Sequence, residues 1–526
     1  MPIKQSSATL IFAATLLFAS CAGKGAANPA AADTIDTIET VAAAELQPLP
    51  DTVYPSADAV KARVEVLDTA VSPLLTSLSD PYADAPGAFT FRKGQLRDAS
   101  FGATVKGEPS ELILDWVYTT PEDYTPTKYG AWGGGTGWTG QPLYVSWPDS
   151  CMQRLRADRL IADSASSREI LVGSLSGRVC FIDFETGKPS RRPIDVMNPI
   201  KGTMSLDPSL NGNLYVGHGV PARGEFGAEV IDLYRNARSH FFGPDPKAQR
   251  RWGAYDSSPV RAGQFLFRPG ENGTLYKFTV APGRLKLHSA LRYYAAGAVP
   301  GMEASMAVYL NYCYIADNAG NIICVNLNTL RPVWRYKLPD DIDSTPVIEL
   351  EDGKPYLYTG CEVEHEGVTE ACFVKLDALT GQKIWINRSP ARRADVDTKH
   401  FDGGYYATCL PGRGDCANLI MVNLVHNTDG QNGSFVAIDR ATGQTVYSTP
   451  LRYYAWSSPV GFLSDNGRLY VVTGDCAGNL YLISGRDGKI ISRRPTGNNF
   501  ESSPVAVGNS LVVGSRGKTV YKLSLK

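Results

Sequence analysis

The feature that most constrains this chain is a unit of four short strands that recurs along it. The unit is plainest at residues 451–491. Ser458–Phe462, Arg468–Thr473, Asn479–Ile483 and Lys489–Ile491 are rich in Val, Ile, Leu and Tyr, and turns around Gly467, Gly478 and Gly488 part them. That is the pattern of consecutive antiparallel hairpins. One such sheet cannot bury both of its faces, so it needs neighbours of its own kind.

The neighbours are present. The pentapeptide LRYYA at 291–295 returns at 451–455. The opening Asp256-Ser-Ser-Pro-Val260 returns as Asp343-Ser-Thr-Pro-Val347, Trp456-Ser-Ser-Pro-Val460 and Glu501-Ser-Ser-Pro-Val505. Weaker copies lie at Gly202–Ser205, Glu303–Met306 and Tyr406–Cys409, and a poor one at Gly140–Leu143. Eight openings between residues 140 and 502 give a mean period of about 52 residues. Units of four strands at such a period build a β-propeller. The expected fold is all-β: an eight-bladed β-propeller of four-stranded antiparallel blades over 111–526. The last repeat, from Glu501, holds only three strands, while Leu112–Tyr118 is a strong strand standing ahead of the first full repeat. Open sheet edges invite pairing with other chains. Residues 112–118 are therefore expected to complete the last blade, with Trp116 in the place that Trp334, Trp385 and Tyr447 hold in other blades.

Residues 1–20 read as a signal peptide: Lys4, then an apolar run, Ala8–Phe18, too short to span a bilayer. Leu17–Cys21 resembles the lipobox of bacterial lipoproteins. That resemblance implies cleavage before Cys21 and a lipid anchor on it; the alternative is a secretory signal with a chance cysteine. Residues 21–55 form an Ala-, Thr-, Asp- and Pro-rich tether with no pattern for a core. No acidic run follows Cys21, which leans towards the periplasmic side of the outer membrane. Residues 56–110 are an N-terminal extension. Ser56 is placed to cap a short helix with Val60, Val64, Leu67 and Val71 on one face, packing on the propeller or binding a partner. The formal net charge of −1 gives nucleic acid nothing to bind.

The segment Leu376–Trp385, LDALTGQKIW, closely matches the repeat of the pyrroloquinoline-quinone (PQQ) dehydrogenases; Asn326–Trp334 and Ile438–Tyr447 are looser copies. On these residues, 110–526 resembles the PQQ-like propeller family. The resemblance implies that Trp116, Trp334, Trp385 and Tyr447 dock one blade on the next and are structural. Catalytic members of the family carry adjacent cysteines over the quinone, a calcium held by Glu, Asn and Asp, and a catalytic Asp. Here no two cysteines are adjacent, and no Cys-x-x-Cys-His is present. The calcium set finds no residue-by-residue match. The family's non-catalytic branch includes lipid-anchored outer-membrane assembly factors, with which this chain shares lipobox, tether and propeller. The function so implied is a non-catalytic scaffold that binds protein partners in the cell envelope, in outer-membrane protein assembly, with the β-barrel assembly machinery as partner. No catalytic, cofactor-binding or metal residue is assigned, and no cofactor is expected. The alternatives are a quinoprotein-type oxidoreductase using PQQ with calcium, and a glycan-binding propeller.

Segments leading into the inner strands carry Tyr, Trp and Arg, the residues enriched at interface hot spots: Trp132 and Trp138; Tyr255; Arg292, Tyr293 and Tyr294; Tyr405 and Tyr406; Arg452, Tyr453, Tyr454 and Trp456. They either pack between blades or form a rim for a protein, peptide or glycan. Cys313 with Cys324, Cys361 with Cys372, and Cys409 with Cys416 flank turns. Each pair forms a disulfide or fills the core as small hydrophobes. Glu362, Glu364, His365 and Glu366 cluster at a predicted hairpin tip and read as a solvated turn, with a weak metal site as the alternative. The six histidines show no metal-binding spacing.

Overall fold

The computed structural model describes residues 46–137, 140–155, 160, 166–295, 300–396, 399–428 and 432–526. Cys21 and Trp138 fall outside them. Eight antiparallel sheets succeed one another around a ring, one for each repeat. The third blade is typical: Val260–Ala262, Phe265–Gly270, Thr274–Ala281 and Arg284–Ala295, inner to outer. The ring closes as the three-stranded last repeat requires. Leu112–Thr119 pairs antiparallel with Thr519–Leu525 and becomes the outer strand of the eighth blade. Among the described residues no helix is long and apolar enough to cross a membrane.

The repeated sequence marks are contacts between blades. The fourth-strand aromatics rest on the tight turn of the next blade. Trp334 Nε1 donates to Ala378 O at 3.0 Å, Trp385 Nε1 to Arg440 O at 2.9 Å, and Trp116 Nε1 to Phe184 O at 3.0 Å. Tyr447 does the same through its hydroxyl, to Gly485 O at 2.6 Å. The turn glycine under each ring, Gly381, Gly443, Gly187 or Gly488, has φ near +70°. A Cβ on Gly381 would stand 2.6 Å from the Trp334 ring. Glycine is needed there both for the left-handed backbone and for the close approach.

The Ser/Thr of the opening strands from the third blade to the eighth link blades around the channel. Ser258 N–H donates to Ser305 Oγ, Ser305 to Thr345 Oγ1, Thr345 to Thr408 Oγ1, Thr408 to Ser458 Oγ and Ser458 to Ser503 Oγ, all within 2.8–3.2 Å. The hydroxyl recurs because it satisfies a buried N–H that no strand pairs.

One expectation is corrected, and one pair of alternatives is decided. The helical segment of the extension is a single 3-10 turn, Pro55–Ala59. The chain then runs as a strand, Val60–Val66, along the outer edge of the third blade, with Val64 opposite Leu291. The nine cysteines after Cys21 are free, buried thiols. Cys313 lies opposite Val325 and Cys324 opposite Tyr314, so this pair is one residue out of step and points to opposite faces of its sheet. Cys409 and Cys416 line separate core clusters. Cys361 and Cys372 do meet: Cys361 N–H donates to Cys372 O at 2.9 Å, and both thiols fill one core cluster.

Candidate functional site

The central channel is the natural site of a propeller, and the extension runs across it. Gly87–Ala88 pairs with Tyr144 and Val145 of the first blade. The following residues then visit the inner strands in turn. Leu206 N–H donates to Phe89 O at 2.7 Å, Gln95 Nε2 to Arg261 O at 2.7 Å, Val308 N–H to Gln95 O at 2.8 Å and Ile348 N–H to Leu96 O at 2.9 Å. Arg92 Nη2 donates to Cys409 O at 2.7 Å, Gly102 N–H to Gly461 O at 2.9 Å and Ala103 N–H to Gly508 O at 2.8 Å. Segment 86–105 thus bonds to all eight blades. Arg92 and Arg97 are fully buried, 1% and 0% exposed. Their guanidinium groups donate to backbone carbonyls, Arg97 Nε to Met306 O at 2.8 Å, and burial pulls each down to about 10. Arg92, Lys93 and Arg97 hold left-handed backbone, with φ of 53°, 78° and 63°, which coils the segment tightly enough to stay inside the ring.

The partners of this segment are inner strands, the residues that lead into them and the turns that follow them, so it fills the channel along its length. Several lead-in segments gather beside it at a mouth. That mouth is walled by carboxylates. A cavity of about 10 Å³ is lined by Phe91 of the crossing segment and by Asp256, Glu303 and Asp343, each leading into an inner strand. Lys201 Nζ stands 2.5 Å from Asp256 Oδ2. Glu271 lies close by and bonds to Trp252 Nε1, which donates to its Oε2 at 2.8 Å. Glu362, read from sequence as part of a solvated turn, is instead 4% exposed. It hydrogen-bonds to Asp343 and to Tyr406. Burial, then the neighbouring carboxylates, hold Glu271, Asp343 and Glu362 well above the usual carboxylate range. No single motif joins these residues. The signal available in sequence was an acid before the opening strand in several repeats: Asp256, Glu303 and Asp343.

The other residues singled out from sequence divide into two groups. Tyr255, Tyr293 and Tyr405 are buried between blades; Tyr293 OH donates to Asp317 Oδ2 at 3.0 Å. Arg292 is buried in ion pairs with Glu65, at 2.7 Å, and with Asp245. Tyr294, 38% exposed, lies on the outer strand opposite Lys61. Trp132 lies under the Arg516 guanidinium, 5.4 Å from its ring centre. On the mouth side, Tyr406 stacks on Trp456 at 5.0 Å, and Tyr454 meets Trp456 at 5.3 Å and Tyr453 at 4.7 Å. Arg452 beside them is exposed. Asp340, Glu364 and His365 also converge. There, however, the Asp340 carboxylate accepts the backbone N–H groups of Glu364 and His365, at 2.9 and 3.0 Å, and serves the turn.

Comparison with known proteins bears on the fold. The family described as outer membrane protein assembly factor BamB matches residues 431–526. No curated protein sequence matches the chain. Among solved structures, a europium-containing methanol dehydrogenase superposes with a TM-score of 0.56 at 13% identity, covering 84% of this chain and 99% of its own. The quinohemoprotein alcohol dehydrogenase of Comamonas testosteroni gives 0.58 at 13%, covering 84% and 82%. BamB from Moraxella catarrhalis gives 0.46 at 16%, covering 74% and 100%.

The fold of the two dehydrogenases raises the question of PQQ, a tricarboxylate. The residues present do not fit it. The mouth gathers Asp256, Glu271, Glu303, Asp343 and Glu362 with Lys201 as the cation paired to Asp256, a donor set that suits no tricarboxylate. The cavity of about 10 Å³ has room for roughly one water-sized group. Turn glycines, docking aromatics and these likenesses converge on one statement of kind: the chain is an eight-bladed, PQQ-like β-propeller.

Proposed function

We propose that this protein is a non-catalytic scaffold, lipid-anchored through Cys21, that binds protein partners on the periplasmic side of the bacterial outer membrane, in outer-membrane protein assembly. The observation that carries this reading is the filled channel. Segment 86–105 bonds to every blade, and the remaining mouth is walled by carboxylates. A propeller so filled offers its surface rather than its centre. The match of 431–526 to an outer-membrane assembly factor supports the same setting, as does the lipobox at Leu17–Cys21. The partner in this reading is a component of the β-barrel assembly machinery, and no cofactor takes part. Crosslinking in intact cells, followed by pull-down from solubilised envelopes, tests it. Recovery of a β-barrel assembly component supports the scaffold; recovery of none sinks it.

The second reading is a quinoprotein oxidoreductase, favoured by the superposition on two dehydrogenases. Purified protein given PQQ and calcium would then reduce a dye with alcohols or sugars. Turnover above a boiled control would overturn the scaffold reading.

A further inference from the structure

Three side chains stand in one row across the fifth blade. Its second and third strands, Lys354–Gly360 and Glu370–Asp377, set Gly360 opposite Phe373, so the next residues in register are Cys361 and Cys372. On the outer strand, Lys383–Pro390, Arg388 lies opposite Cys372. Opposite residues of an antiparallel pair point to one face, with Cβ atoms about 4.5–5.5 Å apart. The contacts follow from that register. Cys361 N–H donates to Cys372 O at 2.9 Å. The Cys361 thiol donates to the Cys372 sulfur, and Arg388 Nη1 donates to the same sulfur at 3.3 Å. Hydrogen bonds to the charged form favour it. The bond from Cys361, and after it the Arg388 charge, hold the Cys372 thiol below its ordinary range against the burial that raises it. Cys361, as the donor, is held well above that range.

We propose that Cys361 and Cys372 are an oxidisable dithiol: with Cys372 attacking first, the pair closes to a cross-strand disulfide by exchange with a disulfide oxidant and locks the turn at 362–371. As thiols the two fill the core, and the same placement suits the bond. Opposite residues that share a hydrogen bond have Cα atoms about 5.5 Å apart, within the span that a disulfide bridges. Cys313 and Cys324, one residue out of step, lack that placement. The exchange has two steps. The Cys372 thiolate, the nucleophilic form, attacks one sulfur of the oxidant and expels the other as a thiolate. That thiolate takes the Cys361 proton. The Cys361 sulfur then attacks Cys372 and expels the second thiolate, which takes up the proton that Cys372 had given to water. Two protein thiols and one disulfide become one protein disulfide and two thiols, so two electrons pass to the oxidant. Both cysteines are buried, but the turn above them is exposed from Glu364 to Gly367. A turn so exposed opens more readily than the strands below it, and the Arg388 side chain, 54% exposed, marks the approach. The lock bears on the channel mouth. Glu362 pairs with Gly404 ahead of the sixth blade, and Tyr405 N–H donates to Cys361 O at 3.1 Å. The site rests on this geometry; the oxidising compartment is that of the envelope location proposed above.

Purified protein, reduced and then given oxidised glutathione, tests the site. A glutamate-specific protease cuts between the two cysteines, at Glu362, Glu364, Glu366 and Glu370. After closure and unfolding, the fragments carrying Cys361 and Cys372 are expected to stay joined until a reductant is added. Cys361→Ser is expected to stop at the mixed disulfide, with glutathione on Cys372. Cys372→Ser is expected to take glutathione on Cys361 at least tenfold more slowly. Arg388→Met should slow closure about fivefold at pH 7 and move the midpoint of its rate–pH profile upward, because less of Cys372 is then thiolate. Arg388→Lys should restore much of the rate. Circular dichroism melts confirm that the variants fold. Wild-type fragments that separate without reductant overturn the proposal. So do equal rates for the two serine variants, or an Arg388→Met profile that overlays the wild type. Protein drawn from cells with its thiols trapped in acid keeps the two readings apart. Joined fragments there support both the site and the envelope placement. A bond that glutathione forms in the purified protein, with both thiols free in cells, leaves the site standing and counts against that placement.

Discussion

At the scale of residues, the buried acids of the mouth trade stability for charge. Glu362 accepts from Tyr406 and bonds to Asp343, and burial holds its carboxyl well above the usual range. A carboxyl raised in the folded state favours folding fully below its unfolded value, about 4.3. That contribution is lost as pH climbs through the raised folded value. Glu362→Gln removes the charge and keeps an acceptor for Tyr406. It should stabilise the protein by about 0.5–2 kcal/mol at pH 8 and by almost nothing near pH 4.5. Thermal melts of wild type and variant at the two pH values read this out, and an equal shift at both would refute it. The difference is the quantity to follow, because the buried Lys277, pulled down to about 7 by desolvation, titrates in the opposite sense above neutrality. Sequence showed the acid before several opening strands. It could not show that Glu362 folds inward while Glu364, two residues on, faces water, since that depends on which blade stands beside the turn.

At the scale of elements, legibility followed periodicity. The ring hydroxyls, the turn glycines and the docking aromatics recur at a fixed offset from each opening strand, so one repeat explained the rest. The strand Val60–Val66 was missed because its apolar residues satisfy two periods. Val60, Val64, Leu67 and Val71 mark a helical face, but V-K-A-R-V-E-V also alternates apolar with charged or small residues, as a strand does. The free edge of the third blade decided between them. Of the two readings open for the cysteine pairs, the core-filling one holds, and for Cys313 with Cys324 the reason is related: symmetry about a turn does not fix register, and one residue of offset sends the two side chains to opposite faces. The closing strand is the element whose loss should be felt most, since it supplies the whole outer edge of the eighth blade and seats the first blade on it through Trp116. Trp116 is 8% exposed and packs on the Gly187 turn. Trp116→Ala should cost about 3–5 kcal/mol, read from the denaturation midpoint in urea. Gly187→Val should act in the same direction, because its Cβ would stand 2.7 Å from the Trp116 ring at a φ of +70°. A midpoint unchanged in both would mean that the ring is not held by this junction.

At the scale of the whole molecule, the segment that crosses the channel was not legible at all. Its backbone bonds go to single groups on eight different blades, and its apolar residues Phe89, Phe91, Leu96, Phe101 and Val105 each meet a different part of the ring, so they follow no helical or strand period. Its two arginines, Arg92 and Arg97, give no inward signal either, since a charged residue in a loop normally points to water. The consequence is that the segment should be separable from the propeller. Each blade pairs its own four strands without it, whereas the segment has no sheet of its own. Gly102 is closely seated between the seventh and eighth blades: a Cβ there would stand 2.5 Å from Gly508 O and also strike the Phe462 ring. Gly102→Val should therefore lift the segment from the seventh and eighth blades while leaving the β-sheet spectrum intact. Limited proteolysis should then cut within 86–105 at least tenfold faster than in wild type, since cleavage tracks the population of the opened form. The arginine carbonyl contacts farther along should hold the remainder until Arg97→Met is added. If Gly102→Val instead melts the whole protein in one transition with no early cut, the segment is part of the propeller's cooperative core and not a plug laid upon it.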